Sequence, residues 1–283
     1  MAVVNTNIAA SLAQASLMKN ERALGTAMEQ LSTGRKINSA GDNAAGLAIS
    51  TRMSSQIRGL DAAIRNANDA VSMVNTAEGA LDEITTMLQR MRELAVQAGT
   101  GTTDAADRTY LQSEFTALRT EIDRIADNTQ WNGRNILDGS AGASTGKSTV
   151  AFGIGQDGTA AQTLSTSFGN FNNTTGKLSG LASKVITGTT ITSAITVAAA
   201  AITEIDVVIA DVSAQRASFG AVSNRLTHAV DSLTNTKTNS EAARSRVLDT
   251  DYAAATSELA RTQIIQQAGT AMLAQANTMP QTV

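Results

Sequence analysis

Residues 77–98 read AEGALDEITTMLQRMRELAVQA. One apolar seam runs through Ala77, Ala80, Ile84, Met87, Met91, Leu94 and Ala98. A second runs through Ala77, Leu81, Ile84, Leu88, Met91, Ala95 and Ala98. Spacings that alternate between three and four residues make the 3.5-residue repeat of a coiled-coil-like helix. Two overlapping seams mean that the helix faces more than one partner. Within 88–99, LQRMRELAVQAG, Arg90 and Arg92 stand at the edges of the stripe, and Gln89, Glu93 and Gln97 cover its back. On a helical wheel centred on Met91, Leu94 and Arg90 share one edge, with Glu93 beyond them. Leu94 is therefore expected at the border of the buried stripe.

The repeat extends upstream through Met53, Ile57, Leu60, Ile64, Ala67, Val71 and Val74. Between 44 and 98 glycine stands only at 46, 59 and 79. At 1.5 Å per residue the implied helix is about 80 Å long. GTGTTD, 99–104, breaks it, with Asp104 as the cap of a following helix. That helix repeats the spacing in Leu111, Phe115, Leu118, Ile122 and Ile125, and it is expected to fold back on the first. The texture then changes. Asn132-Gly133 is a hairpin-turn signal. From about 131 to 190 Gly, Ser, Thr and Asn dominate around short β-branched runs, STVAF and KVITGTTIT, read as β-hairpins and loops. Heptad spacing returns in Ile195, Ala198, Ile202, Ile205, Ile209, Val212, Phe219, Leu226, Val230 and Leu233, with Arg216 on the seam. An alanine-rich stretch at about 250–277 follows.

The fold class read from this layout is mainly α. Long coiled-coil-like helices from both chain ends pack together around a small β-hairpin and loop middle. The terminal helices, about 5–31 and 250–277, find no obvious partner within a monomer and are expected to order only in an assembly.

Composition supports long helices. Apolar residues are 42% and aromatics 3% of the 283 residues, and the single proline is Pro280. Proline disrupts helix interiors, so its absence before that point leaves them uninterrupted. The net charge of −3 is spread without a basic stripe, which argues against nucleic acid. With no cysteine there is no disulfide, thiolate metal site or cysteine nucleophile. MAVVNTNIAASLAQASLMKN lacks the basic start and apolar core of a cleavable signal. No run approaches the roughly 20 apolar residues that cross a bilayer, so no membrane insertion is expected.

Motifs for chemistry are weak. GIGQDG, 153–158, fits a dinucleotide fingerprint, but no helix directly follows and no acid stands about 20 residues on. GASTGKST, 142–149, places three residues between its glycines where a phosphate loop needs four. His228 is the only histidine and sits in a helical pattern, so a two-histidine zinc motif is impossible. NNTT, 172–175, is a formal N-glycosylation acceptor or simply a polar loop. Most carboxylates, Asp82 and Glu93 among them, lie on helix backs. An enzyme is not expected, nor a cofactor or metal.

Several stretches carry a family resemblance. LSTGRKINSAGDNAAGLAIS (31–50), NANDAVSMVNTAEGALDEI (66–84), LQRMRELAVQA (88–98) and WNGRNILDG (131–139) resemble the N-terminal region of bacterial flagellin. ARSRVLDTDYAAATSELARTQIIQQAGTAMLAQAN (243–277) resembles its C-terminal region. The middle, about 140–190, is too short for the outer domains many flagellins carry. The resemblance implies a filament subunit for swimming, exported unfolded through the flagellar type III apparatus to an extracellular filament. Residues 1–43 and 240–283 would form an inner-tube domain with a bend, and 44–239 an outer-tube domain with the insertion at about 131–190. Inner-tube packing would fall to Leu12, Leu17, Leu24, Leu31, Leu259, Ile264, Ile265, Met272 and Leu273. Implied partners are copies of the chain itself, an export chaperone and apparatus, hook-junction and cap proteins, and host Toll-like receptor 5. Carried over by position, the subunit and receptor surface would comprise Gln89, Arg90, Glu93 and Leu94, with Glu114 on the next helix.

Two departures stand out. Family members commonly have a lysine where Gly41 stands and an aspartate where Asn43 stands, so the bend is expected to be looser. They also usually carry an apolar, leucine-containing tail after the stretch that here reads PQTV. A hook–filament junction protein and a chemoreceptor-type coiled coil are the rival readings.

Overall fold

The computed structural model describes residues 7–142, 148–155, 162–172, 176–188 and 190–278. Parts of GIGQDG, GASTGKST and NNTT, and the closing PQTV, lie outside them. The chain forms two units, residues 1–57 with 237–283, and residues 58–236. In order along the chain come α1 (Ile8–Thr33), α2 (Ala44–Ala98), α3 (Ala105–Asn128), β1 (Gln130–Trp131), β2 (Arg134–Asn135), β3 (Thr149–Gly153), β4 (Thr163–Ser167), a 3₁₀ turn (Ser179–Leu181), α4 (Ile191–Leu248) and α5 (Tyr252–Thr278). The mainly helical class is as the periodicity predicts.

In the unit of 58–236, the second seam of α2 is wholly buried from Ala77 through Leu81, Ile84, Leu88, Met91 and Ala95 to Ala98. Phe115 and Ile122 of α3, and Ile205, Val208, Val212, Phe219 and Leu226 of α4, complete the same core. Near its start α4 buries Ala194 and leaves Ile195 half exposed, one position off the predicted seam. The turn between α2 and α3 is held by Arg108, itself buried. Its Nε donates to Ala98 O and its Nη2 to Thr100 O, both at 3.2 Å. A cation on the final carbonyls of a helix satisfies acceptors the helix cannot and opposes the negative end of its dipole. Asp104 accepts from Ala105 N at 2.7 Å at the start of α3, as predicted.

The predicted hairpin is present. β1 and β2 pair Gln130 with Asn135 and Trp131 with Arg134. Between them Asn132 and Gly133 have φ of 51° and 75°. Positive φ at both central residues is the type I′ turn that asparagine and glycine favour. STVAF supplies most of β3, which pairs with β4 from Thr149–Ser167 to Gly153–Thr163. Among its described residues KVITGTTIT forms no strand. Ile186 is buried without sheet partners, and its N–H goes to Gln112 Oε1 at 2.6 Å, so a side chain takes the place of a ladder.

In the other unit α1 and α5 lie antiparallel, joined by Asn7 Nδ2 to Ala276 O (2.8 Å) and Asn20 Nδ2 to Thr262 O (2.7 Å). This corrects the expectation that the terminal helices lack a partner in the monomer. The seam is Ala10, Ala13, Leu17, Asn20, Leu24, Ala27 and Leu31 against Ala255, Leu259, Thr262, Gln266, Gly269, Leu273 and Ala276, all buried or half-buried. Its 3.5-residue repeat is hard to see in sequence because four of its positions are Asn, Thr, Gln and Gly. Beyond α1, Lys36 N donates to Leu248 O (2.7 Å) and Thr250 N to Gly34 O (3.1 Å), clamping the two chain segments. Gly34, at φ 70°, ends α1 in the left-handed conformation. Asn43 caps α2 by accepting from Gly46 N (2.8 Å), the role an aspartate would play there. Gly41 has no positive φ, and a Cβ there would meet only Ser39 Oγ at an ordinary 3.5 Å, so nothing in its backbone demands glycine.

One membrane expectation is also corrected. By length and composition α4 is apolar enough to cross a bilayer. Runs of alanine, isoleucine and valine outside the seam raise its hydropathy. Its apolar positions Ala201, Ile205 and Val208 lie in the core, and its Glu204 and Asp206 pair with Lys184 and Arg92.

Candidate interaction surface

The surface residues predicted on α2 come together, with one exception. Arg90 Nε donates to Glu114 Oε1 of α3 at 2.9 Å, and its Nη1 to Glu93 Oε2 at 3.1 Å. Pairing first with Glu114 and then with Glu93 raises the Arg90 pKa still further, so its charge is permanent. All three side chains remain substantially exposed. The arginine fork thus presents a flat, fixed charge group between two carboxylates.

Leu94 is the exception, and its predicted border position is a correction. It is fully buried, at 0% exposure. The wheel places it one step from the stripe, but both seams are covered, so the buried face is wider than either seam alone. Leu94 supports the surface from beneath and cannot itself touch a partner.

Gln89 lies on the other side of Glu93, in a groove of about 560 Å³ with Arg92, Val96 and Gln97. Arg92 crosses to α4, with Nε to Asp206 Oδ1 at 2.7 Å. That pairing raises its pKa. Val96 is 53% exposed and was missed by the sequence reading. It belongs to neither seam of α2, which was the signal available. The surface therefore holds an exposed aliphatic side chain, two arginines bound to carboxylates and two free-standing amides. This is an arrangement for recognition by shape and charge. Among the described residues no group of His, Asp and Glu could hold a metal.

The predicted terminal-helix residues divide into two sets. Leu17, Leu24, Leu31, Leu259 and Leu273 are half-buried in the α1–α5 seam. Leu12 (68%), Ile264 (65%), Ile265 and Met272 (66%) point outward, joined by exposed Ile8, Met18 and Met28. Ile265 and Met272 line a groove of about 180 Å³ with Ala13, Ser16, Leu17 and Gly269. Apolar area of this extent on a folded chain marks a contact surface.

Residues 4–142 match the bacterial flagellin N-terminal helical region, and residues 202–283 match the bacterial flagellin C-terminal helical region. The chain is 42% identical over 281 residues to flagellin of Halalkalibacterium halodurans, covering 99% of this chain and 98% of that one. It is 41% identical over 301 residues to flagellin of Bacillus subtilis, at the same coverage. A flagellar hook-associated protein of Vibrio parahaemolyticus shares the fold at a TM-score of 0.61, with 13% identity, over 74% of this chain and 100% of that chain. The chain belongs to the bacterial flagellin family. It is a flagellar structural subunit and not an enzyme.

Proposed function

We propose that the chain assembles with copies of itself into the helical extracellular filament that drives swimming. The observation that carries this reading is the outward apolar set on the terminal helices, Ile8, Leu12, Ile264, Ile265 and Met272. Seven-residue steps of leucine and smaller side chains hold α1 to α5, and the outward apolar side chains are left for neighbours. Repeating one open, head-to-tail contact builds a helical polymer and not a closed ring. In this reading the unit of 1–57 and 237–283 lines an inner tube, and the unit of 58–236 forms the outer one. Export through the type III apparatus with a chaperone, and contacts with junction and cap proteins at the filament ends, follow from the same role.

Seeded polymerisation of purified chain, viewed by electron microscopy, tests it. Long filaments support the subunit role. Short caps, or no polymer from a chain with folded helices, favour a junction protein.

The second part of the proposal concerns Toll-like receptor 5. Gln89, Arg90, Glu93 and Glu114 form the surface it would read, one that filament packing would hide. A few residues such as an arginine beside an apolar anchor dominate many interfaces, and here Val96 supplies the anchor. Arg90→Ala is expected to weaken receptor signalling by free chain while circular dichroism stays unchanged. Signalling equal to the parent's would remove the receptor from this surface.

A further inference from the structure

We infer that Asn132-Gly133 is a site of spontaneous covalent ageing, where the turn asparagine converts to aspartate and isoaspartate after folding. Of the asparagines in the chain, only Asn132 is followed by glycine. Both residues are exposed, and nothing lies within 4 Å of the position a Gly133 Cβ would take. Among the described residues no hydrogen bond holds the Asn132 carboxamide. The Gly133 nitrogen lies in the turn beyond the inner Trp131–Arg134 rung and belongs to neither rung of the hairpin.

The chemistry balances with water alone. The Gly133 amide nitrogen loses its proton to solvent base and attacks Asn132 Cγ. The N–Cγ bond forms, the Cγ–Nδ2 bond breaks, and ammonia leaves. Water then opens the five-membered imide. Cleavage at Cγ gives aspartate. Cleavage at the main-chain carbonyl gives isoaspartate, with the chain now running through the side chain. In a type I′ turn the nitrogen does not face Cγ, so ring closure waits for the turn to open. Only two rungs, Gln130–Asn135 and Trp131–Arg134, must part, which is a local event.

Among the described residues, the comparable positions are held shut. At Asp138-Gly139, Asp138 Oδ1 accepts from Ser140 N (2.8 Å) and Oγ (2.5 Å), and Oδ2 accepts from Asn135 Nδ2 (3.1 Å). Burial alone raises the Asp138 pKa, but these bonds outweigh it and keep the group an ionised, unreactive carboxylate. At Asn38-Ser39 the amide donates to Arg35 O (3.0 Å), and the Ser39 nitrogen donates to Asp42 Oδ2 (2.8 Å). Asn239-Ser240 lies inside α4, where the helix ladder occupies the nitrogen.

The conversion has a built-in reporter. Trp131 is the sole tryptophan, half-buried against the core and adjacent to the reacting residue. Isoaspartate adds a backbone methylene and a new carboxylate to the turn beside the Trp131–Arg134 rung, which loosens the indole from the core.

The test is to age folded, full chain in mildly alkaline buffer. Peptide mapping by mass spectrometry and isoaspartyl methyltransferase labelling locate the products, and tryptophan emission is followed alongside. The comparison is Asn132→Gly, which keeps the turn because glycine accepts positive φ there. The expected result is label at position 132 ahead of every other asparagine, ammonia release that rises with pH, and a red shift of emission. Asn132→Gly should lose both label and shift. Label absent from position 132 in folded chain, label appearing first at Asn38 or Asn239, or an equal red shift in Asn132→Gly would each overturn the inference.

Discussion

Leu94 and Arg90 stand one turn apart on α2 and answer to different physics. Leu94 is sealed in the core, so Leu94→Ala removes packing and leaves a cavity. It should cost about 2–5 kcal/mol, read by chemical denaturation. Arg90 makes two ion pairs, but both are exposed and screened by solvent, so Arg90→Ala should shift stability far less. If both variants lose the same stability, the division between core and surface drawn here is wrong. Thr166 offers the opposite sign. It faces inward from β4 at 4% exposure, and its Oγ1 has no partner. Thr166→Val replaces a buried, unsatisfied hydroxyl with a methyl group. A gain of about 1 kcal/mol in the denaturation midpoint analysis is expected. At this scale the sequence revealed charge pattern well and burial depth poorly. Arg90, Glu93 and Glu114 could be placed together from helix spacing and resemblance. The full burial of Leu94 depends on how far neighbouring elements wrap around α2, and no single helix's periodicity contains that.

Among the elements, α1 and α5 carry the least obvious instruction. Their seam mixes alanine with Asn20, Thr262, Gln266 and Gly269. Close approach is part of the design, since a side chain at Gly269 would meet Leu17 Cδ2 at 2.8 Å. Asn20 adds the one buried side-chain donor across the seam, to Thr262 O. A polar residue at a core position fixes register at a cost in stability. Asn20→Leu should therefore raise the melting temperature of the helix pair yet broaden its register. Spin labels on cysteines introduced at positions 12 and 272 would show it as a wider distance distribution, in a chain with no cysteine of its own to interfere. An unchanged single distance would show that the register is set elsewhere. The same polar seam explains why sequence reading left these helices without partners. A pattern search keyed to apolar residues sees Leu17, Leu24 and Leu31 on α1 but misses the alternate positions that mesh with α5. Conversely, KVITGTTIT looked like a strand because β-branched residues favour one, yet burial of Ile186 in a loop served as well.

Across the whole molecule, burial is uneven. The continuous core runs from Ala67 to Leu226, inside the unit of 58–236. The unit holding both chain ends buries only scattered residues, among them Asn20, Ala27, Ala255 and Thr262. Hydrogen exchange should follow this division. In free chain, amides of α1 and α5 are expected to exchange well before those of α3 and of α2 beyond Ala67. Polymerisation should then protect the terminal helices most. Uniform protection in free chain would contradict the assignment of their outward apolar residues to contacts between copies.

The clamp at the base of the terminal pair has a mechanical meaning. Asn7 and Ala276 are bonded at one end of the α1–α5 pair, and Gly34 and Thr250 at the other. A force that draws the two chain ends apart loads the seam from the Asn7 end, one rung at a time, so the helices peel open like a zipper under small tension. Peeling stops where Lys36 and Thr250 cross-bond to Leu248 and Gly34, because there two backbone bonds share the load. A force along the helix axes instead strains every seam contact at once. Such a helix pair is easy to peel from its open end and hard to stretch along its axes.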